Sequence, residues 1–332
     1  MKLKLQLKKQ IEDAQLPTRL ELYTELNKRN AIPEEAKDEF TRLKSGLEGE
    51  QTILDYIKQY GEPHWKVLQN IWFDHYGKFE VDCMLLTDKR IYLFEVKNYT
   101  GHYVFQNSQC SCNGRKIGHN AINQAQKSYI NFQKILRQNQ LNIPVTGALI
   151  FTGIDCEITV HDEVDDLKIV TRNQLRNFIW QIRNNERNYS KSRIDIEYLK
   201  QILENHEINN PFLPEPISDE TSFLLKKGIR CSQCNSFELD TSKVYVSCKC
   251  GMHEPRENVI VRTICEYGVI HFEKDLVTTD IVEFFNGDYS RGTIIKYLNK
   301  YFVQISTGRH IKYANNIRLD NLNLKLPKYY RC

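Results

Sequence analysis

The chain has 332 residues, of which 41% are hydrophobic, and a formal net charge of +4 at pH 7. This length predicts more than one domain, whereas so small a net charge argues for no particular partner. No apolar stretch is long enough to span a bilayer, and the first nine residues lack the apolar run of a secretory signal. We therefore expect a cytoplasmic protein without a membrane partner.

The first forty residues are charged, with Leu20, Leu22 and Leu26 at loose helical spacing. We expect one or two helices here, packed on the following domain or against a partner. A second amphipathic segment follows, in which Ile53 and Ile57 belong to one apolar stripe and two glycines, at positions 46 and 49, stand at its start. Glycine there would allow the helix to approach a sheet closely.

The next two elements predict a β-hairpin that carries charged residues. Residues 91–97 are rich in aromatic and β-branched side chains and read as a strand, so Glu95 and Lys97 share one face. Residues 81–86 form the antiparallel partner, and the hairpin would bring Asp82 near Glu95. The backbone carbonyl of Val96 would remain close to the carboxylates.

This arrangement suits a divalent cation. Carboxylate and carbonyl oxygens are preferred ligands of Mg²⁺ and Mn²⁺, so Asp82, Glu95 and the Val96 carbonyl are candidate ligands. Lys97 would position the attacking water or offset charge on a phosphate. The alternative is a solvated cross-strand pair of Glu and Lys, which is common on half-buried strands. Glu95 interrupts an apolar stretch, however, where burial of a charge is costly without a partner.

Four motifs resemble the nuclease-related (NERD) domain of the PD-(D/E)xK, restriction-endonuclease-like group. They are residues 46–50, Asp82, residues 95–97 and residues 120–124, and together they span about Ser45 to Thr152. Their order and spacing are more specific than any one motif. One departure is Ala121, which stands where the family usually has Pro, and this changes little because Pro at a helix start only presets the backbone.

The resemblance implies an active-site set of Glu50, Asp82, Glu95 and Lys97, with Gln124 on a helix that faces it. Glu50 near a helix N-terminus would also be favoured by the helix dipole, so a purely structural role stays open. Asn120 is a candidate N-cap, and Gln124 lies one turn later. Gln124 is thus either a polar anchor into the site or an ordinary surface residue.

Residues 144–206 complete an α/β domain. They contain an apolar strand at 145–151, a short strand near Ile169 and helical patterns at 175–182 and 196–203. The fold class implied is a restriction-endonuclease-like mixed sheet flanked by helices, covering residues 41–208 after a separate segment 1–40. The Pro- and Asn-rich residues 209–216 predict a boundary, and we assign residues 209–227 to a linker.

Ten cysteines in a reducing compartment need an explanation other than disulfides. Four of them have zinc-ligand spacing around a strand-like segment: Cys231, Cys234, Cys248 and Cys250. We expect a structural Zn²⁺ in a zinc-ribbon-like unit, residues 228–262, with His253 and Cys265 as reserve ligands. Scattered reduced thiols are the alternative. A closed shell of four thiolates leaves no position for catalytic water.

The last part, residues 263–332, resembles a winged helix in its pattern of two helices, at 280–285 and 290–300, and a hairpin at 302–313. From residue 286 onward nine Lys and Arg face two Asp. This excess of positive charge predicts that the segment contacts a polyanion such as nucleic acid. The alternative is a basic face that is simply solvated, which would have the same composition. The candidate nucleic-acid contacts are Arg291, Lys296, Lys300, Arg309 and Lys312.

Together these features predict a Mg²⁺- or Mn²⁺-dependent endonuclease that hydrolyses phosphodiester bonds in DNA. One alternative is a nucleic-acid-binding or regulatory protein that keeps the fold without cleavage, and the other is a nuclease acting on RNA. Cleavage of both strands of a duplex would favour a homodimer.

Overall fold

The computed structural model describes residues 16–164, 166–188, 194–308 and 311–315. The chain divides into two units, one of residues 41–211 and one that combines residues 1–40 with 212–332. Among the described residues, no helix has the length and apolar character needed to cross a bilayer. We call the two parts the central unit and the discontinuous unit.

Both units contain helices and strands. The helices are α1 Arg19–Lys28, α2 Lys37–Tyr60, α3 Ala121–Gln138, α4 Leu175–Asn188, α5 Ile196–Glu204, α6 Asp219–Leu224, α7 Arg256–Ile270, α8 Thr278–Phe284 and α9 Arg291–Tyr301. The strands are β1 Lys66–Asp74, β2 Lys78–Leu86, β3 Ile91–Lys97, β4 Gly101–Gln106, β5 Gln109–Cys112, β6 Arg115–Ile117, β7 Val145–Phe151, β8 Cys156–Val160, β9 Leu167–Thr171, β10 Glu207–Ile208, β11 Leu239–Thr241, β12 Tyr245–Cys248, β13 His253–Pro255, β14 Leu276–Val277 and β15 Lys312–Tyr313.

The central unit is built on a mixed sheet in the order β10-β1-β2-β3-β7-β9. Strands β1, β2 and β3 are antiparallel neighbours, whereas β3, β7 and β9 run parallel. Helices α2 and α4 cover one face through Ile53 and Phe178, and α3 and α5 cover the other through Phe132 and Leu199. The predicted α/β class with a helix-flanked mixed sheet is confirmed. A second sheet, β6-β5-β4-β8, follows β3.

Gly49 brings α2 against the end of β3. A Cβ atom at this position would lie 2.8 Å from the Oγ1 atom of Thr152 and 2.9 Å from the Cβ atom of Asn98. Asn98 also donates its side-chain N–H to the Ser45 carbonyl at 3.0 Å. By contrast, nothing lies within 4 Å of a Cβ atom built at Gly46. The close approach expected of this helix therefore depends on one of its two glycines.

Replacing Gly49 by Ala is expected to lower the free energy of unfolding of the central unit by about 1–3 kcal/mol, because the packed neighbours must move. Gly46→Ala is the matched control, and it should be neutral or stabilising by up to about 1 kcal/mol from helix propensity. Urea unfolding that is monitored by tryptophan fluorescence measures the stability of both variants, since all three tryptophans lie in this unit. Equal stabilities of the two variants would contradict the packing argument.

The discontinuous unit differs from expectation in the placement of its first helix. We expected residues 1–40 to pack on the following domain or on a partner, yet α1 packs against α7. Leu22 and Leu26 share a core with Val259 and Ile264 of α7. The assigned boundaries at residues 40 and 262 also fall inside the continuous helices α2 and α7, and the assigned linker contains α6. Local hydrophobic spacing predicts a helix but not the surface that it covers.

Buried ion pairs fix α1 in this unit. Arg29 donates to Glu266 with an N–O distance of 2.7 Å, and Arg230 and Arg262 reach the same carboxylate at 2.7 and 2.8 Å. Arg262 also pairs with Glu254 at 3.2 Å. The three guanidinium groups and both glutamates are at most 2% exposed. Such charges are tolerated in a core only because each has partners.

The last described part has the element order expected of a winged helix. Helix α7 leads to β14, α8 and α9, and β15 returns antiparallel to β14. Ser290 caps α9 by accepting the Thr293 N–H. Beside β15, Ala314 donates to the Val303 carbonyl at 2.8 Å, which forms a short hairpin. Residues 309–310 of the expected hairpin lie outside the described residues.

Candidate active site and metal centre

The ladder between β2 and β3 ends where the predicted site begins. Its last described pair is Cys83 with Phe94, and the next residues in this register are Asp82 and Glu95. The Oδ2 atom of Asp82 then accepts the backbone N–H of Val96 at 2.7 Å, in place of a ladder bond. Asp82 and Glu95 therefore occupy adjacent positions on neighbouring strands, as the predicted hairpin requires.

Glu95 and Lys97 lie on one side of β3, as the strand period requires. The Nζ atom of Lys97 is 2.7 Å from the Oε1 atom of Glu95, and the two side chains are 18% and 4% exposed. A carboxylate so deeply buried needs a cationic partner, and Lys97 supplies one positive charge.

Glu50 reaches this region from α2. Its Oε2 atom accepts a hydrogen bond from the side chain of Asn70 at 3.2 Å. Asn70 has a φ of 52° and stands opposite Asp82, between the pairs formed by Gln69 with Cys83 and Ile71 with Val81. The positive φ interrupts the regular pleat of β1, and the regular pairing of β1 with β2 is broken beside the carboxylates.

Glu80 is a fourth carboxylate in the group, and sequence reasoning missed it. The side chain is partly buried. Burial raises its pKa, and repulsion from Asp82 and Glu50 raises it further. A sequence signal was present, because Glu80 precedes Asp82 by two residues in β2, a spacing that predicts one face in a regular strand.

The four carboxyl groups could not all ionise without leaving more negative charge than Lys97 neutralises. Burial, followed by the repulsion of Asp82, raises the pKa of Glu50 and of Glu80 to about 7. The same two causes raise the pKa of Glu95 to about 8. Burial alone would lower the pKa of Lys97, but the pull of Glu95 and Asp82 outweighs it and raises that pKa. One ammonium group thus faces four crowded acids, a setting that favours a further cation.

Gln124 is exposed on α3. In the described part of the chain its side chain has no hydrogen bond to the carboxylates, so its role in the site stays a prediction. Its helix does begin beside them, because Ala125 and Ser128 line a small interior cavity together with Glu80 and Glu95. Asn120 caps the helix by accepting the N–H of Ile122.

The described residues contain one preformed cluster of at least three protein ligands for a metal. Its ligand atoms lie within 4.8 Å of one another, and its members are Cys231, Cys234, Cys248 and Cys250. The carboxylates around Asp82 do not form a cluster that tight. Catalytic metal sites differ from structural ones in this respect, because they keep positions open for water and substrate.

The cysteine cluster lies beside the small sheet β11-β12-β13. The Sγ atoms of Cys231 and Cys250 are 3.5 Å apart, and those of Cys234 and Cys248 are 3.6 Å apart. The reserve ligands His253 and Cys265 are not members of this cluster, and His253 bonds to Ser247 instead. Four converging thiols are compatible with tetrahedral Zn²⁺.

The predicted basic residues are only partly available. Arg291 and Lys296 are exposed on α9. Lys300 pairs with Glu257 at 2.6 Å and Lys312 pairs with Asp275 at 3.3 Å, so part of the positive charge is used within the unit. Arg309 lies outside the described residues, as do the basic positions after residue 315.

These observations define a mixed α/β protein whose sheet carries three carboxylates and a lysine, with a fourth carboxylate on α2 and a separate cysteine cluster. Residues 45–152 match the family model of the nuclease-related domain, NERD. The match confirms the resemblance and contains all of the acidic site, but it covers less than half of the chain. No curated protein and no solved structure matched the chain. The chain thus carries a nuclease-related domain, followed by parts outside the match.

Proposed function

We propose that the protein is a Mg²⁺- or Mn²⁺-dependent endonuclease that hydrolyses phosphodiester bonds in DNA. The observation that carries the proposal is the position of Asp82 and Glu95 on neighbouring strands, directly after the last pair of the β2–β3 ladder and beside Lys97. A protein that only bound nucleic acid would gain nothing from buried carboxylates, because they repel phosphate. The nuclease-related domain match supports the same class of chemistry.

The donor set fits a hard divalent cation. Asp82 and Glu95 would hold it, with the backbone carbonyl of Val96 as a third ligand. The N–H of Val96 points to the β2 side, where it meets Asp82, and the carbonyl of the same residue points to the same side of a strand. When bound, such a cation polarises a phosphoryl oxygen and lowers the pKa of coordinated water.

The other residues have supporting tasks in this proposal. Lys97 holds the attacking water or balances the charge that develops on the phosphate. Glu50 and Glu80 add negative charge around the cation, and Gln124 orients water or substrate from the start of α3. The exposed Arg291 and Lys296, with Lys300, Arg309 and Lys312, contact the phosphate backbone of the nucleic acid.

The cysteine cluster binds a structural Zn²⁺ in this proposal. Protein purified without added metal is expected to hold about one zinc ion per chain by elemental analysis. Cys234→Ser and Cys248→Ser should lose the zinc, whereas Cys112→Ser, a thiol of the central unit, should retain it. Zinc-free wild-type protein that unfolds at the same temperature would contradict a structural role.

A cleavage assay with the full chain tests the enzymatic proposal. Duplex DNA, single-stranded DNA and RNA are each incubated with Mg²⁺, with Mn²⁺ and with a chelator. We expect cleavage of DNA with either cation and none with the chelator. Cleavage of RNA but not of DNA would show that the protein is an RNA nuclease. Tight binding of DNA without cleavage under any condition would favour a non-cleaving protein.

A further inference from the structure

A second polar surface of the central unit lies away from the carboxylates. It is an open groove between the end of α2 and the exposed side of α4, lined among others by Tyr60, Arg176, Asn177, Trp180 and Arg183. Residues 176, 177, 180 and 183 share one side of the helix by their spacing of three and four. We call this surface the α4 groove.

Trp180 lines the groove and is 56% exposed. The fold does not need this indole, because α4 anchors to the sheet through other residues, Leu175, Phe178, Ile179 and Ile182. Trp65, by contrast, is buried. A large aromatic side chain that is left in water on a helix that is already anchored offers a flat face to a ligand.

The charge around Trp180 is positive. The Arg176 guanidinium lies 5.4 Å from the centre of the Tyr60 ring. Arg183 and Arg187 both pair with Glu62, so one of their two positive charges remains. Arg176 adds a second positive charge. No acidic residue is among the described residues that line the groove. The preferred ligand is therefore anionic and has planar groups.

We propose that the α4 groove binds single-stranded nucleic acid, with a base stacked on Trp180 and phosphates held by Arg176 and Arg183. Aromatic faces flanked by arginines are how proteins bind single strands with little sequence preference. A protein partner would also use Trp and Arg, but a groove lined by arginines and amides beside the indole, with no acidic residue in its described lining, suits bases and phosphates better.

The position of the groove connects it with the acidic site. Tyr60 follows Glu50 by ten residues in the same helix, which is about 15 Å along the axis. A strand held in the groove could therefore extend toward the carboxylates, which repel phosphate and need a positive surface nearby. The role as a substrate-holding surface rests on the proposed function, whereas binding itself does not.

Binding of a fluorescent twelve-nucleotide oligo-dT to the full chain, in chelator, tests the proposal without cleavage. We expect Trp180→Ala to weaken binding by about fivefold or more, the effect of losing one stacked base, and Trp180→Phe to retain most of it. Arg176→Gln should also weaken binding and reduce the slope of log K against log salt by about 0.7. Arg137→Gln, an exposed arginine on α3, is the matched control.

Tryptophan fluorescence locates the bound strand even if other surfaces also bind DNA. Unlabelled oligo-dT should quench the emission of wild-type protein, and Trp180→Phe should abolish most of that quenching while binding persists. Unchanged affinity in Trp180→Ala together with unquenched wild-type emission would overturn the proposal. So would a wild-type dimer that Trp180→Ala converts to monomer without any effect on DNA, because the groove would then join two copies of the chain. Loss of cleavage with normal quenching would count against the proposed function alone.

Discussion

Replacement of Glu95 by Gln is expected to lower the rate of metal-dependent DNA cleavage by about 10³-fold or more. Glu95 is buried beside Asp82 and pairs with Lys97. Gln removes the negative charge that a divalent cation requires, and a loss of about 4 kcal/mol of transition-state stabilisation corresponds to this factor. Gln keeps the size of the side chain and an oxygen that can accept from Lys97, so the fold should remain intact.

The measurement is the initial cleavage rate at saturating Mg²⁺, with circular dichroism as a check of folding. Glu157→Gln is the matched control, because Glu157 is an exposed glutamate on β8 in the same unit, and its rate should equal that of wild type. Lys97→Met should also be severely impaired. Cleavage that is retained by folded Glu95→Gln protein would show that a different group of residues holds the cation.

Replacement of Glu266 by Gln is expected to destabilise the discontinuous unit by about 3–5 kcal/mol, since it removes a buried negative charge that three guanidinium groups share. Glu266 contacts Arg29, Arg230 and Arg262, and all four side chains are at most 2% exposed. Hydrogen exchange of peptides from α7 measures the local unfolding free energy. Tryptophan fluorescence should change little, because every tryptophan lies in the central unit.

Glu283→Gln is the control for this experiment, because Glu283 is a helical glutamate that pairs with Lys227 at the surface and is 72% exposed. Its exchange rates should match those of wild type. Rates for Glu266→Gln equal to those of the control would mean that the arginines find other partners. They would also mean that the buried pairs do not hold α1 in the unit.

The same network gives this unit an acid sensitivity. Burial alone would raise the pKa of Glu266, but Arg230, Arg262 and Arg29 outweigh it and hold that pKa well below its usual range. A carboxyl whose pKa is lower in the folded state contributes stability above its unfolded pKa of about 4.5 and loses it as the pH falls. Wild type should therefore lose stability below about pH 4.5, and Glu266→Gln should lose less over that range.

The sequence determined features that depend on residues close together in the chain. Strand periodicity put Glu95 and Lys97 on one face, and the hairpin put Asp82 next to Glu95. The spacing of Cys231, Cys234, Cys248 and Cys250 predicted the cluster that the structure contains. The period of a regular strand also indicates Glu80, which precedes Asp82 by two residues in β2.

Tertiary structure alone decided what depends on distant residues. Arg29 meets Glu266 across 237 positions of the chain, and no local pattern in either segment indicates the other. The exposure of Trp180 likewise depends on which side of α4 covers the sheet. Periodicity records which side of an element is apolar, but the partner of that side is selected by packing among all elements at once.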